Sequence, residues 1–524
     1  MQTEILSTSE YDIALAGKII ANGGLVAFPT ETVYGLGANA LNDEAVKQIY
    51  VAKGRPSDNP LIVHICEKED IYPLVKKVTD KAKILIDRFF PGPLTIILPK
   101  SDRIGDTVSG GLDTVAVRMP ENETARRLIK SAGCPVAAPS ANTSGLPSPT
   151  KAKYVIDDMN GKIEAIIDGG DCKFGLESTV ITLAGDTPVI LRPGAVTKEM
   201  LEEAIGEVEV ADAVLHGMRE NEAAASPGMK YKHYAPKARV VIVDADKKVY
   251  EGFVNSKKDA FALCFDGDDI KIPHLAYGRE NDDLSQAREL FDALRQLDEM
   301  GAKKVYARMP NADGMGMAVY NRLIRAAAFN IIDLKKPFTI GLTGQTGAGK
   351  GYVGNYLKEL GYNIIESDRV VNDIYENADE ALLKQFSEEF GADCVNNGKI
   401  DKKRLGQIVF SNEKMLKGLN SIVHPLVISE CEKRAVIPSV LDAPQLFEAK
   451  AQDKCYKIIS VTADCDTRLE RIMKRDGISK EQALARMKSQ FSEQYYIDSS
   501  DFVIKNNGSD DIKSQIDRIL EEIV

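Results

Sequence analysis

The sequence predicts a multidomain α/β protein made of three successive units, and three observations carry that prediction. At 524 residues the chain exceeds what one core holds, and a guide of ~150 residues per domain gives three or four domains. Short apolar stretches alternate with amphipathic ones along the whole length, with Gly or Pro at nearly every junction, a pattern of strands feeding helices rather than of a bundle. Near the two-thirds point a glycine-rich loop, Gly341-Leu342-Thr343-Gly344-Gln345-Thr346-Gly347-Ala348-Gly349-Lys350-Gly351, falls between an apolar strand and an amphipathic helix, as at the start of a doubly wound parallel sheet.

Residues 1–215 read as a mixed α/β sheet, with strands at 24–28, 94–98, 115–118 and 179–183 and helices at 43–52 and 123–131. Residues 216–237 read as a linker, a charged Ala-rich run followed by the extended Ser226-Pro227-Gly228-Met229-Lys230-Tyr231-Lys232-His233-Tyr234-Ala235-Pro236. A small Rossmann-like α/β unit follows at 238–335, with strands at 240–243, 260–264 and 304–307 and helices at 284–300 and 318–328. The third unit, 338–524, is a phosphate-loop domain with a doubly wound parallel sheet: strand 340–343, helix 352–360 closed by Gly361, strand 362–365. No internal repeat or low-complexity tract interrupts them.

Composition is that of ordinary globular protein, 44% hydrophobic and 28% charged, without tryptophan. A net charge of −11 argues against a nucleic-acid coating role and against stable direct nucleic-acid binding. The eight cysteines form no Cys-x-x-Cys pair or His/Cys cluster, so reduced buried thiols are expected rather than zinc or disulfides. The beginning, Met1-Gln2-Thr3-Glu4-Ile5, lacks the basic and apolar blocks of a leader, and no apolar run approaches the ~20 residues that span a bilayer. The expectation is a cytoplasmic protein with no membrane partner.

The phosphate loop carries the clearest chemistry. Its glycines let backbone N–H groups from Gly344 through Gln345, Thr346, Gly347, Ala348 and Gly349 turn toward a phosphate, Lys350 and Gly351 follow, and the helix that opens at Tyr352 adds its dipole to the attraction. Lys350 supplies a point charge for the outer phosphates. Gly351 stands where a Ser or Thr ordinarily holds Mg²⁺. The next strand ends at Glu366-Ser367-Asp368, and a carboxylate there faces the phosphate loop, as a general base, as a helix N-cap, or as both. Asp442 closes a later strand. Arg468, Arg471 and Arg475 share one helical face, a solvated surface in isolation but, after a phosphate loop, a segment suited to closing over a transferring phosphoryl group.

In the first unit, Phe28-Pro29-Thr30-Glu31-Thr32-Val33-Tyr34-Gly35-Leu36-Gly37 reads equally as a polar turn or as part of a site. Lys53-Gly54-Arg55 can clamp adjacent phosphates, with Asn59 just beyond, or simply answer the dipole at a helix C-terminus. His64 lies on a strand, where a satisfied core histidine is the commoner role. Pro139-Ser140-Ala141-Asn142 brings small donors close to an anion, and Arg118, Ser178 and Arg192 sit at strand edges.

Lys53-x-Arg55 with Ser140-x-Asn142 resembles the K-x-R…S-x-N pattern of YrdC-like threonylcarbamoyl-AMP synthases. Pro29-Thr30-Glu31-Thr32, Pro91-Gly92-Pro93-Leu94-Thr95 and Arg192-Pro193-Gly194 fit as well. His233-Tyr234-Ala235-Pro236 and Tyr320-Asn321-Arg322-Leu323 resemble the long form of that family, so the likeness covers residues 1 to 335. It implies conversion of L-threonine, bicarbonate and ATP to threonylcarbamoyl-AMP and pyrophosphate, for tRNA-modification proteins that use this adenylate to make N6-threonylcarbamoyladenosine. On it, Lys53 and Arg55 hold the triphosphate, Ser140, Asn142 and Arg192 the nucleotide, and Thr30, His64, Arg118 and Ser178 the threonine. Mg²⁺ bridges phosphates, and Tyr231, His233 and Tyr234 act as a lid.

Residues 338–524 resemble dephospho-CoA kinase, through Gly341-Leu342-Thr343-Gly344, Asp368, His424-Pro425, Leu446-Phe447-Glu448, Arg471…Arg475-Asp476, and Asn506 or Asn507. The likeness implies ATP-dependent phosphorylation of the ribose 3′-hydroxyl of dephospho-CoA, with Asp368 as base, Lys350 on the phosphate, Arg471 or Arg475 as charge stabiliser, and Asp442 holding Mg²⁺ through water. Gly351 and Tyr352 replace the usual Ser-Thr pair, and Glu366-Ser367 replace Asp-Ala, although adenylate-kinase-like loops also carry Gly after the lysine. The expected whole is a bifunctional enzyme. The alternatives are an active synthase carrying a non-catalytic sensor of CoA or nucleotide, and an RNA-binding first half.

Overall fold

A computed structural model describes residues 2–57, 59–216, 234–409 and 412–523. They form two compact units, Met1–Val243 with Val254–Ile331, and Asp244–Phe253 with Ile332–Val524. Tyr231 and His233 of the expected lid lie outside the described residues; Tyr234 is within them. Among the described residues no helix is long and apolar enough to cross a membrane.

The first unit is built on β1 (Glu4–Leu6), β2 (Val26–Phe28), β3 (Gly35–Asn39), β4 (Ile62–His64), β5 (Leu94–Pro99), β6 (Thr114–Arg118), β7 (Val136–Ala137), β8 (Ala165–Ile167), β9 (Thr179–Thr182), β10 (Val189–Arg192) and β11 (Glu209–Val210). They make one mixed sheet in the order β1-β8-β2-β3-β7-β4-β6-β5-β9-β10-β11. β4 runs parallel to β6 with His64 opposite Arg118, while β5 pairs antiparallel with β6 and parallel with β9. Helices cover it, so central strands such as Leu94-Thr95-Ile96-Ile97-Leu98 are buried on both faces and read as continuous apolar runs. β1 and β8 are additions to the expected strands. They are three residues each, too short to show a period of two.

Local chemistry fixes the helix that precedes the site. Asn42 caps Asp43–Lys53 by accepting from the N–H groups of Glu44 and Ala45, and Gly54 ends it in the left-handed conformation, φ 61°. That turn at Gly54 sends Lys53 and Arg55 to different surroundings.

A second sheet in this region comprises β12 (Arg239–Asp244), β13 (Phe261–Asp266), β14 (His274–Arg279), β15 (Lys304–Arg308) and β16 (Ile331–Asp333), ordered β14-β13-β15-β12-β16, with the observed ladders of the first four parallel. Helix Asp283–Glu299, capped by Asp282, and helix Gly316–Ala326 bury Leu290, Leu294, Val319 and Leu323.

The second unit contains β17 (Phe338–Gly344), β18 (Asn363–Glu366), β19 (Val395–Asn396), β20 (Lys399–Ile400), β21 (Ser439–Asp442), β22 (Cys455–Thr462) and β23 (Phe502–Lys505). Apart from the small hairpin β19-β20, they form a parallel sheet in the order β18-β21-β17-β22-β23. The central β17 delivers the phosphate loop at its carboxyl edge, where ligands gather in such sheets. The following helix begins at Lys350 and runs to Glu359, two residues earlier than expected from the sequence. Gly351 therefore sits inside its first turn.

Candidate active sites

Eight of the residues singled out in the first unit line one cavity of about 60 Å³: Thr30, Arg55, His64, Arg118, Ser140, Asn142, Ser178 and Arg192, with Tyr234 beside them. The sheet explains the convergence. His64, Arg118 and Arg192 end β4, β6 and β10, and Ser178 stands just before β9. Ser140 bridges to Gly35, bringing its loop against β3.

Each group is held. Thr30 Oγ1 accepts from the N–H groups of Thr32 and Val33 at 3.1 and 3.2 Å and donates to the Val33 carbonyl at 2.6 Å, a polar turn that places Thr30 in the cavity wall. Arg118 Nη2 donates to Glu31 Oε1 at 2.6 Å, and Nε to the Gly92 carbonyl at 3.3 Å. Arg192 donates from Nε to the Ser178 carbonyl and from Nη2 to Ser178 Oγ, at 3.0 and 3.1 Å. Burial holds His64 far below its ordinary value, to about 3, and the Arg118 cation adds to the effect, so the ring is neutral. Burial also brings Arg192 down to about 10, leaving it charged at neutral pH.

Lys53 is placed differently from Arg55. Its ammonium does not line the cavity. It is 2% exposed and donates to the Ser140 carbonyl, to the Asn142 carbonyl at 2.5 Å and to Asn142 Oδ1 at 3.3 Å. Three acceptors in a dry interior use up its donors, so in this geometry Lys53 is a strut behind the Ser140–Asn142 loop, and Arg55 alone of the pair faces the cavity. Asn59 does not line it either: it is fully buried, and its amide atoms have no hydrogen-bond partner among the described residues.

Two carboxylates escaped the sequence reading. Glu31 fixes Arg118 and also accepts from the Asn122 N–H at 3.3 Å. Burial opposes its ionisation, yet the Arg118 guanidinium holds it below the usual carboxylate range. Glu177 lines the cavity and accepts from Ser148 Oγ at 2.5 Å and from Arg322 Nε at 2.8 Å. Arg322, on helix Gly316–Ala326, is fully buried, and its guanidinium lies 5.8 Å from the ring of Tyr234, which stacks on Phe291 at 5.1 Å. Both carboxylates adjoin hydroxyl residues in the sequence, and a carboxylate next to a hydroxyl gives no signal of which arginine it will meet.

In the second unit, the loop from Gly344 to Gly351 lines a cavity of about 540 Å³ together with Asp368, Pro444, Arg471, Lys474, Arg475 and Gln490, but without Ala348. Ala348 is buried beneath it, and its carbonyl accepts from Asn506 Nδ2 at 2.8 Å. Gly349 is required: φ is 94°, and a Cβ would meet Asn506 Nδ2 at 2.2 Å. Tyr352 is 51% exposed and outside the cavity lining. Lys350 is paired with Asp442, and burial lowers its pKa.

The three arginines of helix Cys465–Asp476 do not act as one face. Arg468, 5% exposed, donates to the Thr346 carbonyl at 2.9 Å and to Gln345 Oε1 at 2.7 Å, bracing the loop. Arg471 holds the Asn506 carbonyl at 3.0 Å, and Arg475 is bidentate with Asp476. Asp368 is exposed in the first turn of helix Ser367–Glu376; the cap position is Glu366, so the N-cap reading of Asp368 is not realised.

Known proteins resemble successive parts of the chain. Residues 18–194 match the family described as "Telomere recombination", 196–328 the "Threonylcarbamoyl-AMP synthase, C-terminal domain", and 338–511 "Dephospho-CoA kinase". Threonylcarbamoyl-AMP synthase of Pyrococcus abyssi is 46% identical over 334 residues, 62% of this chain and 96% of that protein. Dephospho-CoA kinase of Fusobacterium nucleatum is 37% identical over 190 residues, 35% of this chain and 97% of that protein. The crystal structure of P. abyssi Sua5 complexed with L-threonine superposes with a TM-score of 0.61 at 45% identity, covering 63% of this chain and 100% of that one. The chain thus belongs to the threonylcarbamoyl-AMP synthase family through its first unit and to the dephospho-CoA kinase family through its second.

Proposed function

We propose that the chain is a bifunctional enzyme: a nucleotidyltransferase making threonylcarbamoyl-AMP and pyrophosphate from L-threonine, bicarbonate and ATP, and a kinase converting dephospho-CoA to CoA. The convergence of Arg55, Arg118, Arg192, Ser140, Asn142 and Ser178 on one buried cavity carries the first assignment. In that cavity the threonine carboxylate meets Arg118, pre-aimed by Glu31. The threonine amine, carboxylated by CO₂ from bicarbonate, presents a carbamate oxygen to the α-phosphate; the new O–P bond forms as the bond to pyrophosphate breaks. Arg55 and Arg192 offset the charge, and neutral His64 adds none. Lys53 acts through the loop it props. The product leaves for tRNA-modification proteins in the cytoplasm.

In the second unit Asp368 takes the proton of the acceptor hydroxyl, and Lys350, Arg471 and Arg475 stabilise the transferring phosphoryl group. Gly351 offers no hydroxyl, and among the described residues no group of three His, Cys, Asp or Glu side chains is arranged to hold a metal ion. Asp442, now paired with Lys350, would be the side chain available to a Mg²⁺ brought in with the nucleotide, and such an ion would neutralise phosphate charge. The Lys350–Asp442 pair also favours a second reading, a nucleotide or CoA sensor without turnover. Pyrophosphate release that requires both L-threonine and bicarbonate tests the first activity, and its absence defeats it.

A further inference from the structure

Strand β5 is apolar along its length except for one hydroxyl, that of Thr95, whose side chain is fully buried. The sheet puts Thr95 on the face that carries the synthase cavity. Ile96, one step on, pairs with Val117 of β6, so Thr95 shares a face with Arg118, which itself lies opposite His64. Thr95 also pairs with Val180 of β9, and Arg192 pairs with the same Val180 from β10. Yet Thr95 is not among the residues that line the cavity. Its hydroxyl meets Ser178 Oγ at 2.7 Å, and it has no other hydrogen-bond partner among the described residues.

We propose that Thr95 is a positioning residue for the synthase reaction: it donates to Ser178 Oγ and so holds Ser178 as a donor toward a carboxylate-type oxygen of the threonine substrate. The inference rests on the synthase reading above and deepens it. A hydroxyl has one proton to give and two lone pairs that receive. Arg192 Nη2 donates to Ser178 Oγ at 3.1 Å and fills one of those lone pairs. Between Thr95 and Ser178 the proton can run either way. If Ser178 gives its proton to Thr95, the Thr95 proton is stranded in a dry interior without an acceptor, which is costly. If Thr95 donates instead, both lone pairs of Ser178 are filled, and the Ser178 proton turns to the cavity that Ser178 lines. Only the second arrangement leaves no buried proton unmet once substrate is bound.

That polarity suits the reaction. Arg192 touches Ser178, and Arg118 lies on the Thr95 face, so this corner of the cavity receives an anionic oxygen. The carboxylate of threonine and the carbamate formed on its amine both present one. An ammonium finds no lone pair left on Ser178, so Ser178 does not hold the amine in its protonated, unreactive form. A hydroxyl that accepts from a guanidinium and a second hydroxyl is also a stronger donor than one that accepts from neither. Thr95 itself takes no part in the bond changes.

Steady-state kinetics on the full chain, read as pyrophosphate release, test this. Thr95→Val keeps the shape and removes the donor. Thr95→Ser keeps the donor and empties the space of a buried methyl group. Thr95→Val is expected to lose kcat/KM for L-threonine by ~10-fold, the worth of one hydrogen bond, with KM for ATP and the unfolding midpoint close to wild type. Thr95→Ser is expected to unfold earlier and to keep most of its activity. A threonine that only packs would give the reverse order, with activity following the unfolding midpoint. In a Ser178→Ala chain, which has no hydroxyl to orient, adding Thr95→Val is expected to cost nothing further. If Thr95→Val does not fold, Thr95→Cys, a weak donor of similar size, takes its place. Wild-type kcat/KM for L-threonine in the folded variant overturns the proposal. So does an equal loss in Thr95→Ser, or a second full loss in the double variant. A wild-type chain that releases no pyrophosphate with L-threonine and bicarbonate overturns the synthase reading itself, and with it this proposal.

Discussion

Replacing Arg322 with methionine removes a guanidinium from the interior while keeping most of the side-chain volume. Arg322 is fully buried and donates to Glu177 Oε2 at 2.8 Å, to the Glu177 carbonyl at 3.3 Å and to Asn321 Oδ1 at 3.0 Å. Breaking one side of a buried ion pair costs ~3–5 kcal/mol, because the remaining charge is left uncompensated. Arg192 still acts on Glu177, so the lower end of that range is expected at pH 7. The pH dependence has a definite sign. Burial pushes the Glu177 carboxyl up, but Arg322 and Arg192 overcome it and hold its pKa below the ordinary value. The stability this confers is present above the unfolded value and is lost as pH falls through the folded one. Without Arg322 burial wins, the carboxyl protonates more readily, and the variant sheds part of its penalty in acid. Urea unfolding of both proteins at pH 7 and pH 4 reads the gap. Because Glu177 adjoins Ser178, the rate of threonylcarbamoyl-AMP formation falls as well. A variant within ~1 kcal/mol of wild type at pH 7, or a gap that widens in acid, refutes the reasoning.

Three further outcomes follow from the same geometry. His64, buried and neutral with a pKa of about 3 against an ordinary 6.5, binds fewer protons folded than unfolded between those values. Stability then falls on acidification from pH 6.5 toward 3 by as much as ~1.4 kcal/mol per pH unit, and unfolding of His64→Leu over that range should show a shallower slope. Lys53→Met and Arg55→Met should diverge: the first lowers both stability and activity by stripping three acceptors of their donor, whereas the second lowers activity and leaves the unfolding midpoint in place. A Cβ at Gly351 meets nothing within 4 Å, so Gly351→Ser is expected to gain ~0.5 kcal/mol of helix stability and to lower KM for ATP in the CoA-forming reaction. Loss of nucleotide binding in that variant would contradict the open space seen there.

Much of this architecture was legible because the elements that carry it announce themselves locally. The Gly-rich loop at Gly344–Gly349 needs positive φ at three glycines, and Asn42 and Gly54 bracket their helix with ordinary capping chemistry. Strands such as Leu94–Pro99 are long enough to show an apolar run. The short strands β1 and β8 were not legible, since their stability comes from pairing at long sequence separation, Ile5 opposite Ile166. The candidate residues could be picked out as types, but not the surroundings each would have. Lys53 and Arg55 look alike in sequence, and only the left-handed turn at Gly54 separates a buried strut from a lining cation. Arg468, Arg471 and Arg475 share a helical face, yet packing against Gln345 takes the first out of solvent. Glu31 and Glu177 became visible only when strands from distant parts of the chain set Arg118 and Arg322 beside them.

The central claim is that one chain performs two separate ATP-dependent reactions, and product analysis by mass tests it most directly. A single preparation would be given ATP, Mg²⁺, L-threonine, bicarbonate and dephospho-CoA, alongside Asp368→Asn and Arg55→Met variants. The account predicts both threonylcarbamoyl-AMP and CoA from the wild-type chain, loss of CoA alone in Asp368→Asn, and loss of the adenylate alone in Arg55→Met. Threonylcarbamoyl-AMP without any CoA from the wild-type chain would contradict it, leaving the second unit as a nucleotide-binding domain without turnover.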